Sequence, residues 1–262
     1  MEGLKGKVAI VTGGATMIGA HVVRAFHKEG TRVVIADIDA HGGQAVADEF
    51  AGSVLFVKTD LGDDQHIAAC VERTVATFGG VDFLVNVACN YVDGGIGASR
   101  RDWLDSYNIN VVGGVMMLKA VRPQMIRRGG GAVVNFGSIS AKVAQRGRWL
   151  YPVSKAAILQ VTRNEAMDLA GDNIRVNSVS PGWTWSKVIA ELTRNNRAKA
   201  DSVGAPFHLL GRVGSPEEIA QAVLFLCSAD SSFITGTDVA VDGGYTAMGP
   251  ERTEEAIPKL AE

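Results

Sequence analysis

The sequence predicts an α/β fold built on one doubly wound parallel sheet of about seven strands with helices on both faces. Two observations carry this. Short β-branched runs alternate with longer amphipathic stretches, and the runs are apolar at successive positions, as in Val8-Ala9-Ile10-Val11, which a strand covered on both faces requires. Strands are expected at Val8–Thr12, Arg32–Asp37, Val54–Lys58, Phe83–Asn86, Ala132–Ser138, Arg175–Ser180 and Val239–Asp242, with helices filling the gaps.

No internal repeat or low-complexity linker divides the chain, so residues 1–262 read as one domain, with 247–262 a C-terminal tail. At 262 residues and 47% hydrophobic the chain can bury a full core. A net charge of −2 gives no electrostatic reason to expect nucleic acid or an anionic membrane as partner. No apolar run approaches a membrane span and Met-Glu-Gly-Leu-Lys-Gly-Lys is no signal peptide, so a cytoplasmic protein is expected. Cys70, Cys89 and Cys227 are too few and too widely spaced for a disulfide framework or a zinc site, and no metal is expected.

Right-handed crossovers place the loops that follow the strand C-termini along one edge, where ligands bind. The first such loop is Thr12-Gly13-Gly14-Ala15-Thr16-Met17-Ile18-Gly19. Its glycines permit a tight turn and close backbone approach, and the helix that follows aims free N–H groups at a negative charge such as a pyrophosphate. Asp37 ends the second predicted strand, where a carboxylate can accept both ribose hydroxyls of an adenosine; Asp39 competes for the lesser role of loop carboxylate or helix cap. Asp60-Leu61 follows the third strand and Asn86-Val87-Ala88-Cys89 the fourth, with Cys89 reading as a small filler.

Tyr151 and Lys155 stand four apart and project from one helix face, so an ammonium lies beside a phenol. A free phenol titrates near pH ~10, and a neighbouring cation favours phenolate and brings it toward the range of alcohol and carbonyl chemistry. Ser138 closes the fifth predicted strand, where a hydroxyl can hydrogen-bond a developing alkoxide; Ser140 is its chemical equal. Asn110 falls within a predicted helix, a position where Asn is often satisfied by its own turn, and Asn108 is a near competitor. No Gly-x-Ser-x-Gly elbow occurs and none of the five His has an evident triad setting, which argues against a nucleophilic serine.

Together these motifs resemble the short-chain dehydrogenase/reductase family over Leu4 to Thr246. The glycine loop follows the family's Thr-Gly-x-x-x-Gly-x-Gly with Met17 in place of a glycine, and Val87 and Cys89 depart from its Asn-Asn-Ala-Gly. Asn177 to Thr184 resembles its Pro-Gly loop, and Ile234-Thr235-Gly236 with Val241-Asp242-Gly243-Gly244-Tyr245 its C-terminal region. The resemblance implies a Rossmann-type fold and NAD(P)-dependent hydride transfer between a secondary alcohol and a ketone, usually by a homotetramer. It implies Ser138, Tyr151 and Lys155 as catalytic residues, with Asn110 holding a water against the Lys. Cofactor binding is implied for Gly13, Thr16, Met17, Ile18, Gly19, Asp37, Asp60, Leu61, Asn86, Ala88, Tyr151, Lys155, Pro181, Gly182 and Thr184. No Lys or Arg occurs in Gly14–Thr16 or just after Asp37 to meet a 2′-phosphate, so NAD is expected over NADP.

In the family the segment between Ser138 and Tyr151 and the loop after the sixth strand line the substrate cleft. Here they carry Ser140, Lys142, Gln145, Arg146, Arg148, Trp149, Trp183 and Trp185. Cations and aromatics there suggest a small-molecule substrate bearing a carboxylate or several hydroxyls; a solvated surface and a tryptophan-packed lid are the competing reading. A catalytically idle dinucleotide sensor would share the sheet and the glycine turn but would not need Asn110, Ser138, Tyr151 and Lys155 together. Two long helices expected around Trp103–Arg128 and Tyr151–Ala170 would carry subunit contacts, the second through small residues such as Ala156, Ala157, Ala166 and Ala170.

Overall fold

The computed structural model describes residues 1–50, 52–251, 254 and 257–261. Seven strands, β1 Val8–Thr12, β2 Arg32–Asp37, β3 Val54–Lys58, β4 Phe83–Asn86, β5 Gly131–Phe136, β6 Ile174–Pro181 and β7 Asp238–Val241, form one sheet in the order β3-β2-β1-β4-β5-β6-β7. Every pairing is parallel. The chain winds outward from β1 to β3, then returns to the other side of β1 as β4, and this reversal opens a crevice above the β1 and β4 C-termini.

The strands alternate their side chains between two apolar layers. Ala9 and Val11 pack with α1 (Met17–Lys28), α2 (Ala40–Ala47) and α9 (Pro216–Cys227); Val8 and Ile10 face α3 (Asp64–Phe78), α5 (Gly113–Arg127) and α6 (Leu150–Leu169). Ile10, Ile35 and Leu84 are wholly buried, and each such side chain contributes about 1.5–3 kcal/mol. Three short helices complete the chain: α4 (Arg100–Tyr107), α7 (Lys187–Leu192) and α8 (Arg197–Gly204).

The first four strands match expectation, the ends of β6 and β7 shift by one residue, and two larger details differ. β5 ends at Phe136, so Ser138 is not on the strand. Gly137 N–H still donates to Val179 O at 2.8 Å, after which the Ser138 hydroxyl accepts from Ser140 N–H at 3.1 Å and opens a short 3₁₀ turn, Ile139–Ala141. The expected helix over Trp103–Arg128 is α4 and α5 joined by a π turn, Asn108–Val112, which contains Asn110. Beyond it, Gly113 lets the helix approach so closely that a Cβ there would lie 2.7 Å from Leu61 Cβ.

One register row places polar side chains in line across the sheet: Thr12 opposite Asn86, Asn86 opposite Asn135, Asn135 opposite Ser178, and Ser178 opposite Asp238. Asn86 Nδ2 donates to Asn135 Oδ1 at 2.9 Å, and Asn135 Nδ2 donates to Glu165 Oε2 at 2.8 Å. Buried amides need such partners, and they tie the end of β4 to β5 and α6.

Candidate active site

The C-terminal edge of the sheet collects the glycine loop, the acidic strand ends and the Tyr-Lys pair. Gly13 leaves β1 at φ +68°, and a Cβ there would lie 2.7 Å from the Ala88 backbone, so the β1 and β4 loops touch at a position that only glycine fits. Thr16 caps α1: its hydroxyl accepts from Gly19 N–H at 3.1 Å and donates to Gly13 O at 2.7 Å. Any side chain at Gly19 would run into the Gly13 carbonyl. Met17 opens α1 without a positive φ, so the family's glycine is not required there. The first-turn N–H groups of Met17 and Ile18 lie beyond the reach of intrahelical bonding, which makes this helix end an anion-facing one.

Asp37 latches the loop from the side. Its Oδ2 accepts from Ala15 N–H and its Oδ1 from Asp39 N–H, both at 2.9 Å. Asp39 caps α2 through Gly42 N–H, the lesser role expected of it. Asp60 Oδ1 accepts from Gly62 N–H at 2.8 Å beside buried Leu61. Ala88 N–H donates to Thr12 Oγ1 at 3.3 Å. Across the crevice, Pro181 ends β6, Gly182 passes Asp242 where a Cβ would lie 2.8 Å from its Cα, and buried Thr184 donates to Gly182 O at 3.1 Å. A cradle with no room for a Cβ, a helix N-terminus and an acid one strand away fit the pyrophosphate and the adenosine ribose of a dinucleotide.

Tyr151 and Lys155 lie in the first two turns of α6 and are both buried. Lys155 Nζ donates to Phe136 O at 2.7 Å and stands 5.5 Å from the centre of the Tyr151 ring. Ser138, also buried, follows β5 on the same edge. Tyr91 stacks on Tyr151 with ring centres 5.1 Å apart. The Cys89 thiol and Tyr151 push the Tyr91 phenol well above its ordinary value, which marks Cys89, Tyr91 and Tyr151 as one contiguous group. Asn110 is committed to the loop after β4: its Oδ1 accepts from Asn90 N–H, and its Nδ2 donates to Asn90 O at 2.9 Å and to Ser154 Oγ at 3.2 Å.

The expected substrate-facing residues separate. The Arg148 guanidinium lies 4.7 Å from the Tyr151 ring centre. Ser140 donates to Gln145 Oε1 at 2.7 Å, and Trp149 and Arg146 are exposed. Lys142 turns away to Asp238, with Nζ 2.8 Å from Oδ2. Trp183 packs on Phe207 and His208, and Trp185 lies under the Arg197 guanidinium, so both rings are held within the chain by α8 and the turn after it. Sequence reasoning passed over Asn90, Tyr91 and Asp93. The one signal marks the need and not the residue: α6 begins after Trp149, which has no side-chain acceptor, so its cap has to come from elsewhere.

A family model described as Enoyl-(Acyl carrier protein) reductase matches residues 13–246. The chain belongs to the short-chain dehydrogenase/reductase family. Among curated relatives, a cis-4-hydroxycyclohexanecarboxylate dehydrogenase of Sinomonas cyclohexanicum is 35% identical over 94% of this chain and 99% of its own length. A D-threitol dehydrogenase of Mycolicibacterium smegmatis is 35% identical over 93% of this chain and 94% of its own. The structure of a 7α-hydroxysteroid dehydrogenase complexed with NADH and 7-oxo glycochenodeoxycholic acid superposes with a TM-score of 0.85 at 31% identity, covering 92% of this chain and 94% of that one. As a member of this family the chain is a nicotinamide-dependent oxidoreductase acting on secondary alcohols and ketones, and an idle dinucleotide sensor finds no support among these relatives. No helix among the described residues is long and apolar enough to cross a membrane.

Proposed function

We propose that this enzyme oxidises a compact secondary alcohol bearing a carboxylate or several hydroxyls, with NAD as its cofactor and Tyr151 as the acid/base. The observation that carries the reading is the buried Tyr151 phenol with the Lys155 ammonium 5.5 Å from its ring and buried Ser138 in the turn that follows β5. NAD, when bound, supplies the hydride acceptor. Gly13, Thr16, Met17, Ile18 and Gly19 would hold its pyrophosphate, Asp37 its adenosine ribose, and Asp60, Leu61, Asn86, Ala88, Pro181, Gly182 and Thr184 the remaining walls of the cleft.

As phenolate, Tyr151 takes the proton of the substrate hydroxyl in oxidation, and as phenol it returns that proton in reduction. Lys155, fixed by the Phe136 carbonyl, places a positive charge where the phenol oxygen becomes negative. Ser138 donates to the substrate oxygen as charge develops on it. Asn110 holds the loop after β4 against α6 through Asn90 and Ser154, and so keeps the site in register. The polar or anionic substrate rests on Arg148 beside Tyr151, with support from relatives whose names specify a hydroxycyclohexanecarboxylate and a four-carbon polyol. Ser140, Arg146, Trp149, Trp183 and Trp185 complete the proposed substrate side, with the two indoles as packed walls.

We further place the enzyme in the cytoplasm, as one domain with a tail from 247, working as a homotetramer. Three free cysteines agree with a reducing compartment. A groove of about 780 Å³ between α5 and α6, lined by Val115, Leu118, Ala157 and Val161, offers the apolar face a second copy would cover. Y151F tests the central assignment. It should bind NADH normally and lose ~10²–10⁴ in turnover on the best alcohol of a panel including 4-hydroxycyclohexanecarboxylates, polyols and cyclohexanol. Near-normal turnover would remove Tyr151 from the mechanism.

A further inference from the structure

The start of α6 is the least self-sufficient part of the proposed catalytic apparatus. A helix leaves its first N–H groups without intrahelical acceptors, and Trp149, at the cap position, makes no side-chain cap. Those donors are nonetheless met. Asp93, 56 residues earlier in the chain, accepts from Trp149 N–H at 2.8 Å. Its Oδ1 also accepts from Leu150 N–H at 3.3 Å and its Oδ2 from Tyr151 N–H at 3.2 Å. The same carboxylate closes its own turn through Gly95 N–H at 3.2 Å.

The two loops also touch through backbone. Gly95 is buried at φ +54°, and a Cβ there would stand 3.0 Å from the Gly147 carbonyl. Asp93 lies on the segment that carries Cys89 and Tyr91, and Tyr91 is the ring stacked on Tyr151. A shift of the Asp93 loop therefore moves both the N-terminus of α6 and the aromatic wall of its tyrosine.

We infer that Asp93 is a positioning residue, a clasp that fixes the Tyr151 backbone and the loop after β4 as one unit and so sets the reach of the phenol. The inference rests on the reading of Tyr151 as the acid/base. Burial pushes the Asp93 carboxyl up, and the N–H groups of Trp149, Gly95, Tyr151 and Leu150 outweigh it and hold the acid below its ordinary range, as a carboxylate serving several donors should be. Asp93 does not touch the glycine loop or Asp37 by any hydrogen bond among the described residues, so cofactor affinity should be indifferent to it.

The test compares D93A, D93N and Y151F with the parent, far below their melting temperatures. Two readouts do not depend on a substrate: NADH affinity by fluorescence titration, and amide hydrogen exchange in peptides covering residues 148–155. The clasp predicts at least tenfold faster exchange at the start of α6 in D93A, with NADH affinity within twofold of the parent. With the fastest alcohol of the panel, kcat of D93A should fall on the order of 10–100-fold, because a displacement near 1 Å in a reacting group costs about that much. D93N keeps an accepting oxygen and should recover part of the loss. Unchanged exchange in D93A, a kcat within twofold of the parent, or NADH affinity falling in step with kcat overturns the inference. If D93A does not fold, D93S reads the same comparison. Loss of turnover in Y151F with normal turnover in D93A sinks the clasp alone, whereas normal turnover in Y151F sinks the underlying reading and the clasp with it.

Discussion

The guanidinium of Arg148 lies 4.7 Å from the centre of the Tyr151 ring, and none of its N–H groups donates to another residue among those described. A half-buried cation against the ring of the acid/base has its donors free for a substrate, and an Arg fork matches a carboxylate or a pair of hydroxyls. R148A should raise KM for a hydroxycarboxylate about 10-fold or more and leave KM for cyclohexanol nearly unchanged. R146A, with an exposed side chain, should do much less. Equal effects of R148A on charged and neutral alcohols would remove the anionic-substrate reading.

Asp37 has two duties, so its replacement should have two separable effects. Its carboxylate holds Ala15 N–H, and the same negative charge would oppose a 2′-phosphate of about −1.5 to −2 charge, a repulsion on the order of 1–3 kcal/mol at partly exposed separations. The parent should prefer NAD to NADP by about 10-fold or more in kcat/KM. D37A should lose part of its NAD affinity and most of that preference. Equal specificity constants in the parent would refute the assignment.

Burial pushes the Glu165 carboxyl from 4.5 up to about 7, against the Asn135 hydrogen bond that lowers it. The folded state therefore keeps a proton that the unfolded chain releases near 4.5. Its contribution to stability is greatest below that value and is lost as pH rises toward about 7, by up to about 3 kcal/mol. E165Q keeps an acceptor for Asn135 Nδ2 and has no proton to lose. Urea midpoints at pH 5 and pH 8 should show the parent losing stability relative to E165Q. Parallel pH dependence of the two would count against the buried acid.

Three thiols should react very differently. Burial pushes Cys70 up to about 11 and Cys227 up to about 12, and both are shut in the core, so neither offers thiolate near neutrality. Cys89 is only partly buried beside Tyr91. A thiol reagent should modify one equivalent quickly, at Cys89; C89S should abolish that phase, and NADH should slow it in the parent. Rapid labelling of Cys70 or Cys227 in the folded enzyme would contradict the packing.

The groove between α5 and α6 should be covered in solution. Light scattering at micromolar concentration should give a tetramer mass, and V161D, which puts a charge on the groove wall, should lower it. A monomer mass for the parent rules out the tetramer.

The strands were legible because a parallel sheet demands uninterrupted apolar runs, and Val8–Thr12, Arg32–Asp37, Val54–Lys58 and Phe83–Asn86 are such runs bounded by turn residues. Ser138 was placed on a strand because pattern cannot see where register pairing stops, and the turn there depends on its own hydroxyl. Tyr151 and Lys155 could be paired from spacing because both belong to one helix. The Asp93 clasp could not, since its partners are backbone N–H groups 56 residues away or more, and any residue type supplies those. Trp183 and Trp185 were ambiguous in another way: flat apolar residues suit a cleft wall and an internal prop equally, and their packing on Phe207 and under Arg197 comes from elements distant in the chain.

The wide turn at Asn108–Val112 constrains which length changes this fold tolerates. It holds one residue more than a regular helical turn, and the backbone bulges between α4 and α5 to take it up. Deleting one of the five would let the segment close as regular α-helix and remove the bulge in which Asn110 sits. Asn110 would then lose the placement from which it reaches Asn90 and Ser154. The extra residue thus serves to present Asn110 to the loop after β4, and a chain of this fold that keeps that contact should keep the wide turn as well.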